Sequence, residues 1–152
     1  MQRDTVGRPM EILLVEDSLA AARLTIGALS RSNVQHRLTW LRDGSEALSF
    51  LRQDGRFSRA PQPDVVLLDL LLPDVNGREI LGEIRGSEKF ASIAVVVMTS
   101  ATEGRDVLLP EPLRVDGYLQ KPFEVDEFLK LIRTLKDLWA ADMILPDDEA
   151  GG

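Results

Sequence analysis

Cysteine is absent from this 152-residue chain, which excludes disulfides, thiolate catalysis and cysteine-ligated metal. An excess of basic charge is absent too: 18 Lys and Arg stand against 25 Asp and Glu, a formal net charge of −7. Phosphate-backbone binding needs clustered Lys and Arg, so no nucleic-acid partner is expected. No apolar run approaches the ~20 residues that cross a bilayer, so no membrane partner is expected either. The first nine residues are polar and do not read as a signal peptide, which makes the cytoplasm the expected location. Histidine occurs once, at His36, which reads as a surface residue beside a polar strand. What remains, 44% apolar and 28% charged residues, is ordinary for one globular domain.

Apolar runs of strand length alternate with stretches of helical period, which predicts a βα repeat with a parallel sheet. The strands fall at Met10–Val15, Gln35–Leu41, Val65–Leu68, Ile93–Met98 and Val115–Leu119. The second is the most polar and reads as a sheet edge. Ser18 is a reasonable cap for the first helix, Asp43-Gly44-Ser45 opens the second, and Asn76 caps the third. Gln53–Pro63 is a polar loop, and Asp74 belongs to a turn. A short fourth helix is expected near Glu103–Leu109, because Pro110 and Pro112 would each remove an amide donor and clash inside a longer one. A fifth helix is expected from Glu124 to Trp139. Trp40 reads as a packing residue. The chain thus reads as an α/β (βα)5 fold with a doubly wound, five-stranded parallel sheet.

Four of those strands deliver polar residues at their carboxyl ends: Glu16 and Asp17, Asp69, Thr99 and Ser100, and Lys121. In an open parallel sheet, ligands bind at that edge. Three carboxylates in a small volume are costly unless a cation neutralises them. Their hard oxygens suit Mg²⁺, which keeps several waters and accepts phosphate oxygens. Lys121 adds a positive charge on a mobile stem, and Thr99 a hydroxyl that can bond a phosphoryl oxygen. Asp69 is then the natural nucleophile, attacking phosphorus to give an acyl phosphate. Mg²⁺ and Lys121 would stabilise charge on the equatorial oxygens.

The motifs Leu-Leu-Val-Glu-Asp-Ser at 13–18, Leu-Leu-Asp-Leu-x-Leu-Pro-Asp-x-Asn-Gly at 67–77, Thr-Ser-Ala at 99–101 and Tyr-Leu-Gln-Lys-Pro-Phe at 118–123 resemble those of response-regulator receiver domains of two-component signalling. The resemblance implies a flavodoxin-like receiver fold over residues 9–139, after a disordered lead at 1–8. It implies that Asp69 is the phosphoacceptor for a sensor histidine kinase. It also implies that Asp17 ligates the metal, that Glu16 acts mostly through water, and that the Leu71 carbonyl completes the protein ligands. Thr99 and Lys121 would bind the phosphoryl group, and Tyr118 would be the aromatic switch. An aromatic ring with a polar tip suits that role, since it is stable packed inward or hydrated. Leu71 and Ala101 stand where family members often carry polar side chains that orient the attacking water. Neither can do so, which predicts slow loss of the phosphoryl group.

No effector domain follows Trp139 in this sequence, so output is expected by protein contact or onward transfer. Phe128, Ile132, Leu135 and Trp139 form one apolar stripe on the fifth helix, with Leu131 and Leu138 on an adjoining one. Met143-Ile144-Leu145 extends it within the tail 140–152. A homodimer through the fourth helix, fifth strand, fifth helix and tail is the expectation. The loop at 52–63 and the Trp-containing tail resemble regulators that pair with bacterial phytochrome-type kinases. Two other readings compete. A haloacid-dehalogenase-like phosphatase wants a second Asp two residues after its nucleophile, and this chain has Leu71 there. A pseudo-receiver that only binds a partner would typically lack an acidic residue or the lysine, and both are present.

Overall fold

The structure, a computed structural model, describes residues 8–70, 72, 75–100 and 114–135. The elements run β1 (Met10–Val15), α1 (Leu19–Ser30), β2 (His36–Leu41), α2 (Gly44–Arg52), β3 (Val65–Asp69), α3 (Gly77–Arg85), β4 (Ala94–Ser100), β5 (Gly117–Lys121) and α4 (Val125–Thr134). The expected fifth helix is thus α4 here, because the expected short helix at Glu103–Leu109 lies outside the described residues. So do most of the expected lead and all of the tail at 140–152. Arg8 is described, and it pairs with Asp64 at 2.8 Å.

All five strands are parallel, in the order β2-β1-β3-β4-β5. β1 and β3 are covered on both faces, which explains why they read as continuous apolar runs rather than alternating ones. Successive side chains of a strand point to opposite faces. Ile12, Leu14, Leu67, Val96 and Met98 therefore pack with Ala22, Leu29, Phe128 and Ile132 on one face. Leu13, Val15, Val66, Leu68 and Val97 pack with Ala47, Leu51, Ile80 and Ile84 on the other. Each fully buried side chain of this kind contributes roughly 1.5–3 kcal/mol of transfer free energy. These two cores sandwich the sheet between them.

Each expected cap holds. Ser18 Oγ accepts from the Ala21 N–H at 3.1 Å, Asp43 Oδ1 from Glu46 at 2.8 Å, and Asn76 Oδ1 from Arg78 at 2.8 Å. β2 is an edge strand, as its polarity predicted.

Several strand boundaries differ from expectation: β2 starts one residue later, β3 ends one residue later, and β4 runs Ala94–Ser100 and not Ile93–Met98. The β5 ladder runs Gly117–Lys121, two residues later than predicted. Its start is tied by Asp116, whose Oδ2 accepts from the Val95 N–H at 2.8 Å and from the Arg85 guanidinium at 2.6 Å. Burial lowers the pKa of Arg85 despite Asp116, and its remaining donors go to the Ile93 and Arg114 carbonyls. The shift brings Lys121 into the strand, opposite Ser100. The last described helix, α4, is assigned to Thr134, and the rest of the expected helix, at 136–139, lies outside the described residues. The Thr134 hydroxyl donates to the Leu131 carbonyl at 2.7 Å, a local bond that competes with the helix, and Leu135 leaves helical geometry at φ −93, ψ 73. Leu135 then packs on the first core, and so does Leu131. A Cβ on Gly117 would lie 2.5 Å from Leu131 Cδ1, so Leu131 of the adjoining stripe lies against β5, while Leu138 lies outside the described residues.

Candidate functional site

Register builds the site. Val15 pairs with Leu68, so Glu16 and Asp69 leave neighbouring strands side by side. Asp69 pairs with Met98, which sets Thr99 one residue further along β4. Thr99 pairs with Gln120, next to Lys121. Carboxylate oxygens of Glu16, Asp17 and Asp69 lie within 4.8 Å of one another. Glu16 is fully enclosed, Asp69 and Thr99 are buried, and Asp17 is half-buried.

Lys121 enters this acidic group. Its Nζ donates to Glu16 Oε1 at 2.8 Å and to Asp69 Oδ2 at 3.2 Å. Burial by itself would lower the pKa of this ammonium. The hydrogen bond to Glu16 and the charge of Asp69 outweigh that, and the pKa stands above that of a free lysine. The other oxygen of Glu16 accepts from the Ser18 N–H at 3.2 Å. The Lys121–Pro122 peptide is cis.

The donor set fits a hard divalent cation. Three carboxylates offer oxygens only, with two of the groups shielded from water, and one lysine leaves them short of neutral. The fourth expected ligand, the Leu71 carbonyl, lies outside the described residues, as does Ala101. Tyr118 sits on β5 away from the acidic group's enclosure, with its side chain 45% exposed. His36 is half-buried and bonds the Val34 carbonyl at 2.8 Å, far along the chain from the site strands' carboxyl ends.

Trp40 is more than the packing residue its sequence context suggested. Its indole N–H donates to the Glu16 carbonyl at 2.8 Å. Arg42 Nη2 donates to the Asp17 carbonyl at 3.1 Å. Only the parallel register of β1 with β2, which pairs Leu14 with Trp40, would have revealed this from sequence.

With that geometry in hand, comparison with known proteins is specific. The response regulator receiver domain matches residues 12–133. Response regulator Rcp1 of Synechocystis sp. is 38% identical over 143 residues, 94% of this chain and 97% of that protein. Among solved structures, the bacteriophytochrome response regulator RtBRR is similar at a TM-score of 0.77 and 38% identity, covering 95% of this chain and 86% of that one. The Mn(2+)-bound form of Rcp1 is similar at 0.69 and 39%, covering 91% and 100%.

Proposed function

The chain belongs to the response regulator receiver domain family, and from that premise we propose that it is a phosphorylation switch whose phosphoacceptor is Asp69. The observation that carries the reading is Lys121, held between Glu16 and Asp69 beside a third carboxylate. An oxygen of Asp69 attacks the phosphorus of a phosphohistidine on a sensor kinase, and the donor's bond to phosphorus breaks as the acyl phosphate forms. Glu16, Asp17, Asp69 and the Leu71 carbonyl would hold Mg²⁺. When bound, the cation supplies positive charge that neutralises these carboxylates and draws the phosphoryl oxygens into line. Lys121 exchanges its bond to Asp69 for one to a phosphoryl oxygen, and the Thr99 hydroxyl donates to another.

Output follows from Thr99 and Tyr118. As the phosphoryl group draws Thr99 toward Asp69, the exposed Tyr118 ring gains an inward rotamer, which shifts a pre-existing equilibrium. The surface that changes comprises the 103–109 segment, β5 and α4. We assign residues 9–139 to the receiver unit, and to a homodimer contact the 103–109 segment, β5, α4 and the partly apolar tail at 140–152. The likeness to Rcp1 and to RtBRR supports a phytochrome-type kinase as the partner.

Intact mass after acetyl phosphate and Mg²⁺ tests the switch. The expected result is a gain of one phosphoryl group, roughly 80 Da for its phosphorus and three oxygens, lost on chelation and in Asp69→Asn. Labelling that persists in Asp69→Asn would refute the assignment. Sedimentation of the same samples reads the dimer. The labelled protein is expected to hold its phosphoryl group far longer than seconds, because neither Leu71 nor Ala101 can orient water. Decay within seconds in the absence of a phosphatase would contradict that.

A further inference from the structure

The carboxyl end of β2 contributes no signature residue, yet Trp40 and Leu41 within it and Arg42 just past it bond the backbone of the acidic pair. The Glu16 N–H donates to the Leu41 carbonyl at 3.1 Å. The Trp40 indole donates to the Glu16 carbonyl, and the Arg42 guanidinium to the Asp17 carbonyl. The same guanidinium sits 5.6 Å from the centroid of the Trp40 ring, a distance at which cation and ring attract. Glu16 and Asp17 have already left the ladder, which ends at Val15. Outside a ladder, peptide planes rotate, and rotation about them carries the attached carboxylates away from a common centre. Binding both carbonyls stops that rotation. Trp40 also packs against the first core, but packing alone does not require its N–H to meet the Glu16 carbonyl.

We infer that Trp40 and Arg42 are positioning residues for the divalent cation, holding the Glu16–Asp17 backbone in its binding geometry before the cation arrives. The inference rests on the cation site proposed above, and the test separates the two. Unphosphorylated wild type, Trp40→Phe, Arg42→Met and Asp17→Asn are titrated with Mg²⁺ by calorimetry, and each is unfolded in urea without metal. Trp40→Phe keeps a ring and deletes the donor. It is expected to bind Mg²⁺ about tenfold more weakly, the low end of what losing an outer partner of a metal ligand costs. Arg42→Met, which loses an exposed bond, is expected to bind about threefold more weakly. A purely structural Trp40 would lower the urea midpoint and leave Mg²⁺ affinity unchanged, and that result overturns the inference. Should Trp40→Phe fail to fold, unchanged affinity in Arg42→Met overturns it equally. Wild-type binding that is lost in Asp17→Asn but kept in both β2 variants would remove this inference alone. No Mg²⁺ binding by wild type would remove the cation site and the inference together.

Discussion

Gly77→Ala is expected to lower the stability of the domain by about 3 kcal/mol, the upper end of what overpacking costs, and to slow phosphoryl uptake at least tenfold. Alanine at the first position of a helix would ordinarily be favourable. Here a Cβ would stand 2.6 Å from the Asp69 carbonyl oxygen and 2.6 Å from Leu70 Cα. Both are backbone atoms, so no rotamer change relieves the clash, and the Gly77 N–H also donates to the Leu70 carbonyl at 3.1 Å. Either α3 retreats or the end of β3 moves, and the second displaces the phosphoacceptor. A misplacement of about 1 Å in a reacting group can cost a hundredfold in rate. Gly82 in the same helix is the control, because nothing lies within 4 Å of its Cβ. Gly82→Ala should stabilise by roughly 0.5–1 kcal/mol through helix propensity alone. Urea unfolding of both variants reads the contrast. A stabilising Gly77→Ala would show that the approach of α3 to Asp69 constrains nothing.

Lys121→Met should cost about 2 kcal/mol of metal-free stability, and saturating Mg²⁺ should return most of it. Removing one partner of an enclosed ion pair leaves its counter-charge stranded, typically at 3–5 kcal/mol; the smaller figure applies because the Lys121 side chain keeps 16% of its surface in water. The stranded group is Glu16, whose side chain has no exposure at all, with Asp69 beside it. Methionine preserves the volume, so the loss reports charge and not a cavity. A cation that binds only the folded protein stabilises it by mass action, and it gains more where the competing ammonium is gone. The unfolding midpoint of wild type and variant, each with and without Mg²⁺, decides the matter. Equal Mg²⁺ increments in the two proteins would show that Lys121 and the cation do not share a site.

The sheet was legible because two physical signals agreed. Central strands buried on both faces must be apolar throughout, which fixed β1, β3 and β4, and polar caps marked where helices begin. The acidic residues were legible for the same reason: a carboxylate directly after a buried strand has nowhere to go but the carboxyl edge. The start of β5 was misplaced because Asp116 spends its side chain on Arg85 and the Val95 amide. That tie lies 31 residues away along the chain and leaves no local trace. The expected continuation of α4 to Trp139 lies outside the described residues. Trp40 packs against the first core as expected, and its indole bond to the Glu16 carbonyl is the part that local sequence does not show. Composition shows an aromatic on an edge strand, whereas that bond depends on the register that pairs Leu14 with Trp40.

The bonds of Lys121 also span most of the chain. Its partners lie 105 and 52 positions earlier, at Glu16 and Asp69. Contacts between such distant positions carry a loop-closure cost in chain entropy. Until β5 docks on β4, the three carboxylates face each other without their ammonium. A half-formed sheet can therefore gather the nucleophile and its acidic neighbours but cannot balance them. The charge balance of the acidic group thus depends on the last strand of the sheet being in place.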